Sequence, residues 1–152
     1  MGSNNPDPFG GRSAWIWPAD DTWCFRSGEQ NPYPVAYFRR TFRAPKDATL
    51  TVHVSADSRY ILWCNGKRIG RGPAKGDVRH HFYETYELDD LLVPGQNVLA
   101  AQVMSYAPTL TSPEKSGSPN SVMTWGWMFL LEGSLKTSQG RGLLALDSGS
   151  DW

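Results

Sequence analysis

The chain has 152 residues, of which 15 are Lys or Arg and 15 are Asp or Glu, so its formal net charge at pH 7 is zero. A zero net charge provides no general attraction for a polyanion and argues against nucleic acid as a partner. With 39% hydrophobic and 12% aromatic residues, the chain has enough apolar side chains to fold as one domain.

The first half of the chain predicts β-strands separated by turns and loops. Fifteen glycines and 11 prolines interrupt the sequence too often for long helices. A short apolar run at 14–17 predicts the first strand, and a long polar loop at about 19–34 separates it from an aromatic strand at 36–43. At 50–54, apolar and polar residues alternate, which indicates a half-buried strand.

The Asn65-Gly66 pair predicts a two-residue hairpin turn between strands at 60–64 and 67–69. A glycine-rich connector follows at 70–76, and further strands are predicted at 82–88 and 97–104, with a bend at 91–95. The second long loop, at about 105–121, contains three prolines. The last two strands are predicted at 123–131 and 143–146. One face of the strand at 123–131 carries a ladder of apolar residues: Met123, Trp125, Trp127, Phe129 and Leu131.

These elements predict an all-β fold, a jelly-roll β-sandwich of two antiparallel sheets. Six segments in order also match one known kind of module. They are 15–17, 37–42, 56–67, 70–73, 83–88 and 91–100, including Trp15-Ile16-Trp17, Asp57-Ser58-Arg59-Tyr60 and Gly70-Arg71-Gly72-Pro73. In this register the sequence resembles the N-terminal β-sandwich module of bacterial α-L-rhamnosidases, which are glycoside hydrolases.

The resemblance implies a galactose-binding-like jelly roll that precedes further β-sandwich modules and a catalytic helical barrel. None of the family's catalytic motifs is found in this sequence, so no catalytic residue is assigned and the chain alone is expected to cleave nothing. We expect one domain at 1–152, with a flexible lead-in at 1–13. Residues 147–152 resemble the segment that leads to the next module, which indicates a piece of a longer protein.

Glycoside cleavage commonly needs two carboxyl groups about 5 to 9.5 Å apart. Glu84 and Glu87 fall on opposite faces of one strand, while Asp20-Asp21 and Asp89-Asp90 are predicted to lie in loops or turns. Solvated acids and turn formers explain these residues better than a catalytic pair. A small self-sufficient enzyme is therefore a third hypothesis, behind the two functions given below.

Histidine and cysteine provide no metal site. His80 and His81 are adjacent on an extended segment and should point to opposite sides, so a three-histidine site with His53 is not predicted. Cys24 and Cys64 are too few for a disulfide scaffold, and both a disulfide and free buried thiols remain open.

Arg40 has the same parity as Phe38 and Phe42, which predicts that it lies among aromatic rings on the inward side of its strand. A charge in that position needs a partner, and Asp57 or a glutamate is expected to supply it. A structural ion pair is preferred to a ligand-binding role.

Sugar recognition suits the composition of the two long loops. A pyranose has an apolar C–H face and a ring of hydroxyl groups, so it binds to a flat aromatic ring surrounded by polar side chains. Asn31 and Glu114 also lie in these loops, but the predicted carbohydrate-binding residues are Trp23, Arg26, Tyr33, Tyr106 and Asn120. The alternative is that Trp23 and Tyr106 plug the ends of the core or pack on a neighbouring module.

The leading hypothesis is a non-catalytic module of an α-L-rhamnosidase-like glycoside hydrolase, which acts as a scaffold and contributes to substrate recognition. Its partners would be a downstream catalytic domain and a rhamnose-containing glycan. The alternative is an autonomous carbohydrate-binding module, and one form of this hypothesis includes a structural calcium ion. No other cofactor is predicted. No signal peptide or apolar run of roughly 18 residues is present. A soluble protein is expected, either cytoplasmic or exported after removal of an upstream signal.

Overall fold

The computed structural model describes residues 11–18, 35–74, 76, 81–105 and 128–152. Its eight β-strands are β1 (Val35–Ala44), β2 (Ala48–Ala56), β3 (Arg59–Cys64), β4 (Lys67–Gly72), β5 (Glu84–Glu87), β6 (Gly95–Met104), β7 (Phe129–Thr137) and β8 (Gly142–Ala145). A single 3₁₀ turn, Asp89–Leu91, lies between β5 and β6. In the described residues, no helix has the length and hydropathy needed to span a membrane.

The strands form two four-stranded antiparallel sheets. The first sheet has the order β1-β6-β3-β4 and the second has the order β5-β2-β7-β8. Both sheets bury one face against a shared core, so the molecule is the predicted all-β sandwich. The finer assignment to a jelly roll of the galactose-binding type stays a prediction.

Strand β2 illustrates how alternation in the sequence becomes a buried face. Leu50, Val52 and Val54 are fully buried, whereas Thr51 and His53 lie on the partly exposed side. The hairpin between β3 and β4 is also confirmed: Asn65 has a φ of 49° and Gly66 a φ of 79°, the positive values that a tight hairpin turn requires. Strand β1 agrees with its prediction to within one residue at each end.

Aromatic rings fill the centre of the core. Phe129 stacks on Phe38 at 5.1 Å between ring centroids, and it makes edge contacts with Tyr60 at 6.4 Å and Trp152 at 5.9 Å. Because Phe38 and Tyr60 belong to the first sheet and Phe129 to the second, this cluster joins the two layers. Trp152 also donates a hydrogen bond from Nε1 to the carbonyl of Asp147.

The strand predicted at 14–17 is wrong in extent. Only Ile16 pairs, exchanging two backbone hydrogen bonds with Phe129, and Pro18 follows two residues later. Strand β5 is likewise shorter than the predicted 82–88 segment. Strand β7 ends later than predicted, because it pairs with the whole of β2 and continues past Leu131 to Thr137. Of the predicted apolar ladder, Phe129 and Leu131 are buried, while Met123, Trp125 and Trp127 lie outside the described residues.

Arg40 forms the expected structural ion pair, but with a different partner. Its guanidinium Nη1 lies 2.7 Å from Asp151 Oδ2, and Asp57 forms no ion pair with it. The side chain of Asp151 is 71% exposed, so the pair lies at the margin of the core rather than inside it. With Leu146 and Ser148 buried and Trp152 against Phe129, the segment at 146–152 contacts the sandwich. The domain boundaries predicted from the sequence stay a proposal.

Candidate functional site

The edges of the two sheets meet where β4 faces β5, each being the edge strand of its own sheet. Gly70 and Gly72 allow this close approach, because they present no side chain to β5. A Cβ atom on Gly70 would lie only 2.8 Å from the ring atoms Cε1 and Cζ of Tyr86, and one on Gly72 would overlap the Glu84 carboxylate. These two glycines therefore belong to a strand, and the prediction of a turn-rich connector from residue 70 is wrong.

A small hydrogen-bond network closes this edge. The hydroxyl of Tyr60 donates to Glu84 Oε2 at 2.7 Å, and the backbone N–H of Ala74 donates to Glu84 Oε1 at 2.7 Å. The hydroxyls of Tyr60 and Tyr86 are 3.2 Å apart. Since Tyr60 uses its proton on Glu84, Tyr86 donates to Tyr60. Both oxygens of the Glu84 carboxylate are thus satisfied, which holds it in one orientation.

Burial raises the pKa of Tyr60 far above its usual value, and its hydrogen bonds with Tyr86 and Glu84 raise it further. Burial also raises the pKa of Tyr86, an effect that its hydrogen bond to Tyr60 partly offsets. Both tyrosines therefore strongly favour the neutral form in the folded protein, because an ionised phenolate would be desolvated and would lie beside the negative charge of Glu84.

This arrangement predicts a loss of stability at alkaline pH. The raised pKa of Tyr60 means that its stabilisation is complete below the unfolded value of about 10 and is lost as the pH rises above it. Tyr60→Phe should lower the free energy of unfolding at pH 7 by about 2 kcal/mol, because the hydrogen bonds of its hydroxyl with Glu84 and with Tyr86 are both lost. Between pH 9 and 11, on either side of the unfolded tyrosine pKa of about 10, the free energy of unfolding should fall less in Tyr60→Phe than in wild type.

Urea unfolding across this pH range measures both effects. Tyr37→Phe is the matched control, since it removes the hydroxyl of a tyrosine that is 71% exposed, and it should keep the wild-type pH dependence. An unchanged alkaline slope in Tyr60→Phe would contradict the assignment.

An open cleft of about 570 Å³ adjoins this network, and Tyr60, Ala74 and Glu84 belong to both. The side chains of Arg59, Arg71 and Glu84 line it, together with Tyr60, Ile61, Gly72, Pro73 and Ala74. Two guanidinium groups and backbone groups can donate hydrogen bonds to a ligand's hydroxyl or carboxylate oxygens. Among the described residues that line the cleft, Glu84 is the only acid, so they do not supply the carboxyl pair used in glycoside cleavage.

The predicted carbohydrate-binding residues cannot be placed relative to this cleft. Trp23, Arg26, Tyr33, Tyr106 and Asn120 all lie outside the described residues, as do Asn31 and Glu114. Sequence reasoning overlooked Arg59 and Arg71, and considered Glu84 only as a member of a catalytic pair. The usable signal was the spacing of Gly70 and Gly72, which lies at the strand period of two.

The other titratable residues form no second centre in the described segments. His53 Nδ1 lies 2.9 Å from the Thr85 hydroxyl, and His81 packs against Trp15 with ring centroids 5.7 Å apart. Within the described ranges, no group of three or more His, Cys, Asp or Glu residues could hold a metal ion. Cys64 is a free, buried thiol whose pKa is raised by burial, while Cys24 lies outside the described residues.

The sequence matches no model of a known protein family, and it matches no curated protein. Its fold, however, matches solved structures. A GH78 family rhamnosidase of Bacillus sp. GL1 superposes with a TM-score of 0.60 at 28% sequence identity, covering 88% of this chain and 12% of the enzyme. The α-L-rhamnosidase of Streptomyces avermitilis, solved in complex with L-rhamnose, gives a TM-score of 0.58 at 22% identity, covering 92% of this chain and 12% of the enzyme.

A lectin from Pleurotus ostreatus, solved in complex with GalNAc, shares the same fold. Its TM-score is 0.59 at 20% identity, with 92% of this chain and 35% of the lectin covered. This chain spans only 12% of the length of each of the two rhamnosidases, which is consistent with a single small N-terminal module. The predicted resemblance is therefore confirmed: this chain has the fold of one small β-sandwich module of the GH78 α-L-rhamnosidases.

Proposed function

We propose that this chain is a non-catalytic β-sandwich module of an α-L-rhamnosidase-like glycoside hydrolase, where it acts as a scaffold and contributes to carbohydrate recognition. The observation that carries the proposal is the match over 88% of this chain to only 12% of a GH78 rhamnosidase. A module of that size accounts for a small part of such an enzyme. The catalytic domain of the parent protein is its proposed partner.

The described surface supports a recognition role rather than a catalytic one. The cleft offers the guanidinium groups of Arg59 and Arg71 beside the fixed carboxylate of Glu84. Such groups bind sugar hydroxyls through charge-assisted hydrogen bonds. The residues Trp23, Arg26, Tyr33, Tyr106 and Asn120 are part of the same proposal, in which the indole of Trp23 and the phenol rings of Tyr33 and Tyr106 bind the apolar face of a sugar.

The second candidate is an autonomous carbohydrate-binding module. The fold shared with the Pleurotus ostreatus lectin supports this alternative at the level of architecture. It differs from the first candidate because it has no scaffold role: affinity for sugar would be the whole function of the chain, without any partner domain. In its calcium-stabilised version, that affinity or the thermal stability of the chain would fall when a chelator is added.

Two measurements on the purified chain test the proposal. Incubation with 4-nitrophenyl α-L-rhamnoside should release no nitrophenol, and release that a single acid substitution abolishes would contradict the non-catalytic assignment. Calorimetric titration with L-rhamnose and with rhamnose-containing oligosaccharides should give saturable heat. If these titrations are silent, the recognition part of the proposal is wrong and the scaffold part alone remains.

A further inference from the structure

The outward face of the first sheet is strongly basic. Residues at alternate positions of β1, β3, β4 and β6 point away from the core, and five of them are arginines: Arg39, Arg43, Arg59, Arg68 and Arg71. We call this surface the arginine face. Its aromatic members are Trp63, which is half-buried, and Tyr37, which is 71% exposed.

The strand register places these side chains in rows across the sheet. One row runs from Tyr37 through Gln102 and Ile61 to Arg71. The next runs from Arg39 through Ala100 and Trp63 to Arg68. Because neighbouring strands are about 4.8 Å apart, the backbones of Arg39 and Arg68 lie roughly 14 Å from each other. The residues between them in the row are Ala100 and Trp63.

The four strands of the first sheet contain no acidic side chain that could balance this charge. The four strands of the first sheet contain seven Arg and Lys residues and no Asp or Glu, whereas those of the second sheet contain three Glu and one Lys. The net charge of zero therefore conceals an uneven distribution. Within the described part of the chain, none of the five outward arginines forms an ion pair, although Arg12 and Arg40 do.

The side chains on this face match a sugar that carries carboxylate groups. A guanidinium binds a carboxylate through two parallel hydrogen bonds, a geometry that lysine cannot provide. The exposed ring of Tyr37 can cover the C–H face of a pyranose. Gln102 Nε2 lies 3.3 Å from the Tyr37 hydroxyl and donates a hydrogen bond that orients the tyrosine ring. Arg59 and Arg71 also line the cleft, so the face and the cleft are continuous.

We propose that the arginine face binds the carboxylate groups of a uronate-containing polysaccharide. This inference rests on the proposed carbohydrate-recognition role and names the chemical class of the glycan. A bare polyanion such as nucleic acid is the less favoured ligand, because the acidic second sheet and the zero net charge oppose long-range attraction to it. Glu84 lines the cleft and would repel a carboxylate there. The binding groups are therefore Arg39, Arg43 and Arg68, which lie on the face but do not line the cleft.

The test compares two ligands and two variants. Short oligogalacturonides are titrated into the full chain at low salt with a chelator present, and the same oligosaccharides with methyl-esterified carboxylates serve as the uncharged control. Arg39→Gln/Arg68→Gln removes two charges from the arginine face. Lys136→Gln/Arg141→Gln removes two exposed charges from β7 and the turn after it in the second sheet, with the same change in net charge.

We expect the arginine-face variant to bind oligogalacturonide about tenfold more weakly than wild type, and the control variant to bind as wild type does. Binding should weaken as salt is raised, and esterification should abolish it. Thermal unfolding should be alike in both variants, since surface substitutions change stability by less than about 0.5 kcal/mol. Equal loss in the two variants, or undiminished binding of the esterified ligand, would overturn the inference.

Two further probes distinguish other ligand classes. Oligo(dT) and poly-L-glutamate are titrated in the same way. If either binds more tightly than oligogalacturonide and loses affinity in Arg39→Gln/Arg68→Gln, the face binds a nucleic acid or an acidic polypeptide instead and the inference is wrong. Binding of neutral rhamnose-containing sugars without binding of oligogalacturonide would refute this inference and leave the proposed function standing. If neither kind of sugar binds, this inference and the recognition part of the proposed function are both wrong.

Discussion

Phe129→Ala is expected to lower the free energy of unfolding by about 4 kcal/mol. The Phe129 side chain is fully buried, and its ring contacts Phe38 and Tyr60 from the first sheet and Trp152 from the C-terminal segment. Truncation removes the buried ring and leaves a cavity that the rigid strands on either side cannot fill. A domain of this size is stabilised by about 5 to 15 kcal/mol, so much of that stability would be lost.

Urea unfolding followed by tryptophan fluorescence measures this loss. Phe82→Ala is the matched control, because the Phe82 side chain is 49% exposed. The hydrogen bond from the Ser55 hydroxyl to the backbone carbonyl of residue 82 does not involve the side chain and is kept in the variant. That variant should unfold within about 0.5 kcal/mol of wild type. Truncation of a buried phenylalanine to alanine costs about 3 to 5 kcal/mol. If the free energy of unfolding of Phe129→Ala were within about 1 kcal/mol of wild type, this would contradict the central position of the ring in the core.

Asn97→Ala is expected to destabilise the protein by about 3 kcal/mol through lost hydrogen bonds. Asn97 lies near the start of β6, and its side chain is fully buried against the bend that precedes the strand. Its Oδ1 accepts hydrogen bonds from the Val93 N–H and from Asn65 Nδ2, and its Nδ2 donates to the carbonyls of Val93 and Gly95. Alanine would leave these buried groups without partners, and each costs roughly 1 to 3 kcal/mol when it is not compensated by water.

Gln96→Ala is the control for this experiment. Gln96 is the adjacent residue of β6, its side chain is exposed, and the substitution also replaces an amide side chain by a methyl group. We expect the midpoint of urea unfolding to be unchanged in Gln96→Ala and clearly lowered in Asn97→Ala. Similar midpoints for the two variants would mean that the buried amide network does not hold the bend against the β3–β4 hairpin.

Local patterns in the sequence were sufficient to predict those strands whose signals depend only on near neighbours. The alternation at 50–54 and the Asn65-Gly66 turn correspond directly to a half-buried strand and a hairpin, because side-chain parity and positive φ are local properties. The pairing partners of each strand are set by contacts between distant residues. This is why the end of β7 at Thr137 and the Asp151 partner of Arg40 were not predicted.

The candidate site was harder to predict than the fold for the same reason. Arg39 is far from Arg68 and Arg71 in the sequence, and only the register of β1, β6, β3 and β4 places them on one face. The overall charge of zero gave no sign of this surface. Likewise, Gly70 and Gly72 resemble turn residues until β5 is placed against β4, where the absence of a side chain makes room for Tyr86 and Glu84.

The chain's non-catalytic recognition role is tested most directly by measuring binding and cleavage in one sample. The unmodified chain is titrated calorimetrically with neutral rhamnose-containing oligosaccharides and with oligogalacturonides, and the contents of the cell are then assayed for new reducing ends. We expect saturable heat and no new reducing ends. The absence of heat with every glycan, or the appearance of new reducing ends that one acid substitution abolishes, would contradict the role proposed for this module.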